Sequence, residues 1–135
     1  MLVDANVWSE LTKPSPDPRV VAWIGGHFAE CLLSTIVLAE IRYGIALAAD
    51  DRRASLRSFL DDLLVRLGDR VVDFDSSAAD AFGTLRAQLK VAGQLVGERD
   101  MLIAAQALSL GVPLVTRNVS DMARTGASIV NPWPA

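Results

Sequence analysis

The stretch MLVDANV, residues 1–7, joins a short apolar run directly to a carboxylate, Asp4, and an amide, Asn6. A short apolar run of this kind is typical of a buried core strand. The same arrangement recurs in CLLST, residues 31–35, and in PLVTRN, residues 113–118, where apolar residues give way to polar ones. Three predicted strands therefore end on side chains that carry oxygen.

The first helical pattern begins after a proline-rich loop. Asp17 is placed to cap a helix whose first position is Pro18. Gly25 and Gly26 follow the apolar segment of this helix and are predicted to end or loosen it.

Further helical patterns separate the remaining apolar runs. Ser34 precedes residues 37–48, which are apolar nearly all round and are predicted to form a helix buried on most sides. Residues 51–67 carry leucine and phenylalanine at helical spacing and predict an amphipathic helix. Asp75 is a predicted N-cap of the helix that follows it. Gly111 is predicted to end a mostly apolar helix that begins near residue 99.

The apolar runs are short, lack alternation and are separated by helices, which indicates a parallel sheet covered on both faces. Two more strands are predicted within residues 70–74 and 127–131. The predicted fold is a three-layer α/β/α sandwich with a short, mostly parallel central sheet. Ligands of such sheets bind beyond the carboxyl ends of the strands, so the polar strand ends are the predicted site.

Composition limits the classes of protein that this sequence can encode. A chain of 135 residues predicts a single domain over residues 1–135. Its hydrophobic fraction is 51%, yet charges interrupt every apolar run before a membrane span is reached, and the apolar start leaves no room for a standard signal peptide. We therefore expect a soluble cytoplasmic protein without a membrane segment. The net charge of −3 argues against a broad basic face for nucleic acid.

The cysteine and histidine content excludes two kinds of site. Cys31 is the single cysteine and His27 the single histidine, so the chain lacks both an internal disulfide and the ligands of a Cys/His zinc site. Cys31 is predicted to be a small buried hydrophobic residue.

Two acids interrupt apolar helices. Glu40 and Asp100 have mainly apolar neighbours at helical spacing, and neither lies on a polar stripe. Because an ionised carboxylate on a buried helix is costly without compensation, a purely structural role explains them poorly. For Asp4, a role as a helix N-cap is an adequate explanation by itself.

A cation would reverse the repulsion among acids that lie together. The chain offers hard oxygen ligands, which suit Mg²⁺, or Mn²⁺ as a possible substitute, better than Zn²⁺ or copper. Such an ion lowers the pKa of a coordinated water and stabilises charge on a phosphoryl group, so phosphodiester hydrolysis would need no histidine base.

Five segments taken in order resemble the PIN-domain ribonucleases, in particular the toxins of VapBC-type toxin–antitoxin pairs. They span nearly the whole chain: MLVDANVWSEL, LSTIVLAEIRYGIA, RDMLIAAQA, LVTRNVSDM and IVNPW. The resemblance implies that Asp4, Glu40 and Asp100 form the acidic site of a metal-dependent nuclease.

The fourth acid of the family is replaced in this sequence. Many members read threonine, arginine, aspartate, whereas this chain has Thr116, Arg117 and Asn118, with Asp121 three residues later. Either Asn118 serves as a neutral ligand, or Asp121 supplies the charge as a further catalytic residue. The alternative for Asp121 is the N-cap of a short helix beginning near Met122.

Several polar residues match family positions around the acids. Asn6, Ser34 and Thr116 are expected to orient a carboxylate or a bound water, with Asn6 the strongest candidate. Arg117 and Arg99 are candidates to touch substrate phosphate, although a surface salt bridge explains either one.

The resemblance also implies partners: an RNA substrate, a small DNA-binding antitoxin and a second copy of the chain in a homodimer. Two other functions remain open. A non-catalytic module would act only through an antitoxin complex. A haloacid-dehalogenase-type phosphatase also begins with an aspartate at a strand end, but it needs a second acid where this chain has Asn6.

Overall fold

The computed structural model describes residues 1–134 as five short strands and seven α-helices. The strands are β1 (Leu2–Val3), β2 (Leu33–Ser34), β3 (Val71–Val72), β4 (Leu114–Val115) and β5 (Ile129–Val130). The helices are α1 (Ala5–Glu10), α2 (Pro18–His27), α3 (Thr35–Leu47), α4 (Asp50–Leu67), α5 (Ser76–Val91), α6 (Glu98–Leu110) and α7 (Val119–Ala123).

All strand pairs are parallel. Strand β4 lies between β1 and β5, and β2 pairs with β3. A bridge between Leu2 and Leu32 joins the two sheets, so the strands run in the order β3-β2-β1-β4-β5. The chain order reverses beside β1, and such a reversal is where ligands bind in open α/β sheets. The mostly helical fold with a small parallel sheet confirms the predicted α/β class.

The predicted helix boundaries follow local capping chemistry. The side chains of Asp17, Ser34 and Asp75 each accept a hydrogen bond from a backbone N–H in the first turn of α2, α3 and α5. Gly111 ends α6 with a φ of 67°, a left-handed conformation that favours glycine. These predictions are confirmed.

Helix α2 continues through both glycines to His27, so the prediction that they end it is wrong. Neither Gly25 nor Gly26 has a positive φ. Each glycine costs a helix interior about 1 kcal/mol relative to alanine, and the buried side chains of Val20 and Ile24 on the same helix offset that cost.

Helix α3 is also less buried than its apolar sequence predicts. Val37 and Ile45 are buried, but Tyr43 is 67% and Leu47 is 69% exposed. The prediction of a helix buried on most sides is wrong, because only one face of α3 packs against the rest of the chain. The amphipathic prediction for residues 51–67 is confirmed, since Leu60, Leu63 and Leu67 of α4 face the core.

The single cysteine and the single histidine lie together at the end of α2. Cys31 is fully buried, its Sγ donates to the His27 carbonyl, and burial raises the pKa of its thiol. The His27 ring stacks on Trp23, and its Nδ1 lies 2.7 Å from the Trp23 carbonyl oxygen. Within residues 1–134, no helix combines the length and the apolar character needed to cross a bilayer.

Candidate active site

Asp4 stands where β1 ends, at the reversal of strand order. Its backbone N–H donates to the Val115 carbonyl, which fixes the end of β1 beside the end of β4. The carboxylate is fully buried, and its Oδ1 accepts a hydrogen bond of 2.7 Å from the Ala5 N–H at the start of α1. The structural explanation of Asp4 as a helix N-cap is therefore correct, and it accounts for one of the two carboxylate oxygens.

The second oxygen of Asp4 faces residues of the β4 loop and of α1. The Thr116 hydroxyl donates to Asp4 Oδ2 at 2.7 Å, and the Asn6 amide nitrogen lies 3.5 Å from the same oxygen and 3.3 Å from Thr116 Oγ1. The Asn6 Oδ1 in turn accepts from the Arg117 backbone N–H at 3.3 Å. Asn6 thus ties the loop after β1 to the loop after β4 and holds Asp4 in a single orientation.

The guanidinium of Arg99 brings three acids together. Its Nη2 donates to Asp4 Oδ1, its Nε to Glu40 Oε1, and its Nη1 to Asp100 Oδ1 at 2.8 Å. The carboxylates come from the end of β1, from α3 and from the first turn of α6. Three carboxylates that are far apart along the chain therefore surround a single cation.

The acids differ in their contact with solvent. The side chain of Asp4 is 0% exposed, that of Asp100 is 18% exposed and that of Glu40 is 35% exposed. Burial raises the pKa of Glu40 above its ordinary value, against the hydrogen bond from Arg99, which lowers it. Burial also lowers the pKa of Arg99, but its bonds to Asp4 and Glu40 outweigh that effect and hold the pKa above its ordinary value. The guanidinium is thus cationic at neutral pH.

Asn118 contacts the acidic site directly. Its Nδ2 donates to Asp100 Oδ2 at 3.0 Å, and its backbone N–H donates to Thr116 Oγ1 at 3.1 Å. The amide at the position of the missing family acid therefore supports Asp100.

The structure contradicts one of the two sequence interpretations of Asp121. It lies inside α7, which begins at Val119 with Asn118 as the cap residue, so the N-cap interpretation is wrong. Within residues 1–134 its carboxylate makes no hydrogen bond or ion pair, and the structure does not bring it into the group held by Arg99.

Ser34 lies in a separate polar cluster. Its hydroxyl donates to Gln106 Oε1 at 2.5 Å, and Gln106 Nε2 donates to the carbonyls of Val72 and Asp73 at 3.4 and 3.1 Å. Gln106 is 1% exposed, and its amide joins β2, α6 and the end of β3. The sequence interpretation overlooked Gln106, although an amide inside the apolar segment LIAAQALSL was a visible signal.

Arg117 contacts an aromatic ring and makes no ion pair with the acids held by Arg99. Its guanidinium lies 5.0 Å from the centre of the Trp133 ring, and the residue is exposed. The side chain remains available at the surface of the same loop that carries Thr116 and Asn118.

A cavity of about 340 Å³ opens next to the acidic site, with Glu40 in its wall. Its lining is mainly apolar and comes from α1, α3 and α4, including Trp8, Ile41, Leu56 and Phe59. The Trp8 indole N–H is buried and lacks a hydrogen-bond partner within residues 1–134.

The donor set fits a hard divalent cation. Each of the three acids already directs an oxygen at a shared positive group, and carboxylate oxygens are the ligands that Mg²⁺ and Mn²⁺ prefer. Across the described chain, no three acidic, histidine or cysteine side chains converge tightly enough to hold one ion together as they stand. The Arg99 guanidinium lies among the carboxylates at that point.

Comparison with known proteins identifies the class to which this fold and site belong. Residues 1–127 match the PIN domain family. The chain therefore belongs to the PIN-domain family, and the resemblance stated from its sequence motifs is confirmed.

Individual relatives place the chain among VapC-type proteins. The VapC ribonuclease Y4jK of Sinorhizobium fredii is 40% identical over 136 residues, which cover 98% of this chain and 97% of that protein. The crystal structure of FitAcB from Neisseria gonorrhoeae superposes with a TM-score of 0.93 at 31% identity, covering 99% of both chains. VapBC2 from Rickettsia felis, bound to a DNA fragment from its promoter, superposes with a TM-score of 0.85 at 27% identity over 98% of both chains.

Proposed function

We propose that this VapC-type PIN domain is the ribonuclease toxin of a toxin–antitoxin pair and hydrolyses RNA phosphodiesters with the help of Mg²⁺. The observation that carries the proposal is the convergence of Asp4, Glu40 and Asp100 on one cation at the reversal of strand order. A relative 40% identical over nearly the whole chain is a VapC ribonuclease, which supports RNA as the substrate.

In this proposal, Asp4, Glu40 and Asp100 would hold the metal ion. When bound, Mg²⁺ supplies an activated water for in-line attack and neutralises the negative charge that builds up on the phosphoryl group. Thr116 and Asn6 orient Asp4 through its Oδ2, and Asn118 orients Asp100 through its Oδ2. Such supporting contacts typically change metal affinity or activity by about 10- to 100-fold when they are removed.

Chelation tests the mechanism. Cleavage of total cellular RNA by the purified chain should stop in EDTA and return on addition of Mg²⁺ or Mn²⁺. Cleavage that continues unchanged in EDTA would overturn the metal-dependent mechanism. Mapping of new 5′ ends after brief induction of the wild type and of Asp4→Asn would identify the RNA that is cut.

We also propose a small antitoxin as the partner of this chain. The FitAcB and VapBC2 neighbours are toxin–antitoxin structures, and VapBC2 is bound to promoter DNA. The net charge of −3 on this chain makes it a poor DNA binder alone, so the DNA-binding surface is assigned to the partner. A short reading frame directly upstream, encoding a DNA-binding head, should yield a protein that co-purifies with this chain and blocks its nuclease activity.

A homodimer and a cytoplasmic location remain part of the proposal. The exposed apolar side chains of Tyr43 and Leu47 on α3 offer surface for a second copy. Sedimentation of the purified chain would measure the oligomeric state.

The proposed function and its two alternatives differ in the activity expected of the wild type and of Asp4→Asn. A toxin nuclease loses RNA cleavage and retains antitoxin binding, whereas a purely non-catalytic module shows no cleavage even in the wild type. A phosphatase would release phosphate from small phosphomonoesters without cutting RNA. The phosphatase needs a second acid at the position of Asn6, and the Asn6 amide, which contacts Asp4 and Thr116, cannot serve as one.

A further inference from the structure

Arg99 stands out in the site because its single guanidinium contacts three carboxylates. It sits in the first turn of α6, directly before Asp100, and its side chain is 33% exposed. Every nitrogen of its guanidinium is used by a carboxylate: Nε by Glu40, Nη2 by Asp4 and Nη1 by Asp100. The guanidinium therefore occupies the position at which the three acids point.

The charges at this position do not balance. Three carboxylates bring three negative charges, and one guanidinium returns one positive charge. Because like charges gathered around one point repel, a net repulsion among the acids remains. A divalent ion offers more charge in a smaller volume than a guanidinium, and it would use the same oxygens.

Most oxygen atoms of the three acids already have a hydrogen-bond partner. Asp4 Oδ1 is already shared between the Ala5 N–H and Arg99, and Asp4 Oδ2 is shared between Thr116 and Asn6. Asp100 Oδ1 is used by Arg99, and Asp100 Oδ2 is used by Asn118. Arg99 holds one oxygen of each acid, so an ion placed between Asp4, Glu40 and Asp100 would compete with its guanidinium.

We propose that Arg99 is an internal counter-cation that competes with the divalent metal ion for Asp4, Glu40 and Asp100. In the metal-free chain it stabilises the fold by neutralising the acids, and metal binding displaces its guanidinium towards solvent. The metal affinity of the wild type is then lower than the three acids alone would give. This inference rests on the proposed function only in requiring that the acids bind a metal ion.

The first test measures Mn²⁺ affinity, by electron paramagnetic resonance of free Mn²⁺, for the full chain purified without its partner. Arg99→Gln should bind Mn²⁺ roughly tenfold more tightly than the wild type, because it removes the competing charge. Arg99→Lys, which keeps the charge on a less suitable side chain, should lie between the two. Equal or weaker Mn²⁺ binding by folded Arg99→Gln would overturn the proposal.

Arg86 provides a matched control. Arg86 on α5 forms a surface ion pair of 3.7 Å with Glu98, the residue directly before Arg99. Glu98 is not one of the three acids that Arg99 contacts. Arg86→Gln should leave the Mn²⁺ affinity at the wild-type value. A rise equal to that of Arg99→Gln would show a general effect of net charge and would overturn the specific role of Arg99.

The second test measures thermal unfolding with and without Mn²⁺. In EDTA, Arg99→Gln should melt about 5 °C or more below the wild type, and saturating Mn²⁺ should remove most of that difference. The Arg99 Nε–H signal in ¹⁵N NMR should also shift on addition of Mg²⁺ to the wild type, and a signal that does not respond would contradict displacement.

Failure of the proposed function looks different from failure of this inference. If neither the wild type nor Arg99→Gln binds Mn²⁺, both the metal-dependent function and the role of Arg99 are wrong. If both bind Mn²⁺ equally and EDTA stops RNA cleavage, only the role of Arg99 is wrong.

Discussion

Asp4 and Glu10 lie six residues apart at the two ends of the same short stretch, and both are buried acids. Glu10 is satisfied locally: Lys13 Nζ donates to one carboxylate oxygen at 2.8 Å, and the Asp17 N–H donates to the other at 2.9 Å. Asp4 shares its cation, Arg99, with Glu40 and Asp100. Glu10 has its own local partners, so a role in stabilising the fold is enough to explain its burial.

The acids around Arg99 are not explained in that way. Three like charges around one cation stabilise the fold less than three separate ion pairs would. The contact is also not local, since Arg99 and Asp4 are 95 residues apart in the sequence. Burial of a carboxylate is thus weak evidence of function. Convergence of several carboxylates on one point is stronger evidence, because packing alone does not require it.

The largest expected effect is on the rate of RNA cleavage, and it distinguishes Asp4 from Glu10. Asp4→Asn should lower the rate of RNA cleavage on the order of 10³-fold, because it removes one charged metal ligand while keeping an oxygen that can cap Ala5. Glu10→Gln should change the rate of the folded protein by less than about twofold. Cleavage assays on the two purified variants, compared at equal folded fraction, measure this contrast. Equal losses of cleavage rate in the two variants would show that burial of a carboxylate, and not convergence on a shared cation, determines its effect on activity.

Gln106 extends the comparison to a neutral buried group. Gln106→Leu removes the partner of Ser34 and leaves the Val72 and Asp73 carbonyls without this donor. The free energy of unfolding should fall by about 1–3 kcal/mol, with Mn²⁺ affinity unchanged. Urea unfolding and Mn²⁺ titration measure the two quantities. A selective loss of metal binding would instead place Gln106 and Ser34 in the site, as the sequence interpretation expects for Ser34.

Asn118→Asp probes the position of the missing family acid. It replaces the amide donor to Asp100 Oδ2 with a fourth like charge. In EDTA the free energy of unfolding should fall by about 1–2 kcal/mol, and Mn²⁺ should recover more of it than in the wild type. Chemical unfolding in EDTA and in Mn²⁺ measures the loss of stability and its recovery. A variant as stable as the wild type in EDTA would contradict a supporting role for the Asn118 amide.

The smallest expected effect is the pH dependence of stability from Glu10. The hydrogen bond from Lys13, and then that from the Asp17 N–H, lower the pKa of Glu10 below its ordinary value of 4.5. Since its folded pKa is lowered, the stabilisation is fully present above the ordinary value and is lost as the pH falls through the folded pKa. Glu10→Gln should therefore lower Tm by a few degrees at pH 7, and the difference should shrink near pH 3. A constant difference in calorimetry at both pH values would assign the effect to packing.

The sequence predicted the local parts of this structure well. Asp17, Ser34 and Asp75 cap their helices, and Gly111 ends α6, because capping depends on a few neighbouring backbone groups. Predictions failed where distant packing decides. Gly25 and Gly26 remain helical, and the apolar face of α3 is left exposed.

The candidate site shows the same division between local and distant effects. Glu40 and Asp100 stand out in the sequence as acids without a good structural explanation. The family resemblance adds Asp4 to them and places Asn6, Thr116 and Asn118 nearby. The structure brings these residues together, but it places Ser34 with Gln106, and Asp121 is not among the carboxylates that contact Arg99. It also puts Arg99 among the acids, whereas the sequence suggested only a phosphate contact or a surface salt bridge.

The sequence by itself determined the positions of strand ends and helix caps and the chemical character of the site, because these depend on residue types and local spacing. Only the tertiary structure decided which acids meet, what neutralises them and which buried carboxylate is merely structural. The physical reason is the strand order β3-β2-β1-β4-β5, which brings the ends of β1 and β4 together although they lie more than a hundred residues apart. Spacing along the chain carries no information about that distance in space.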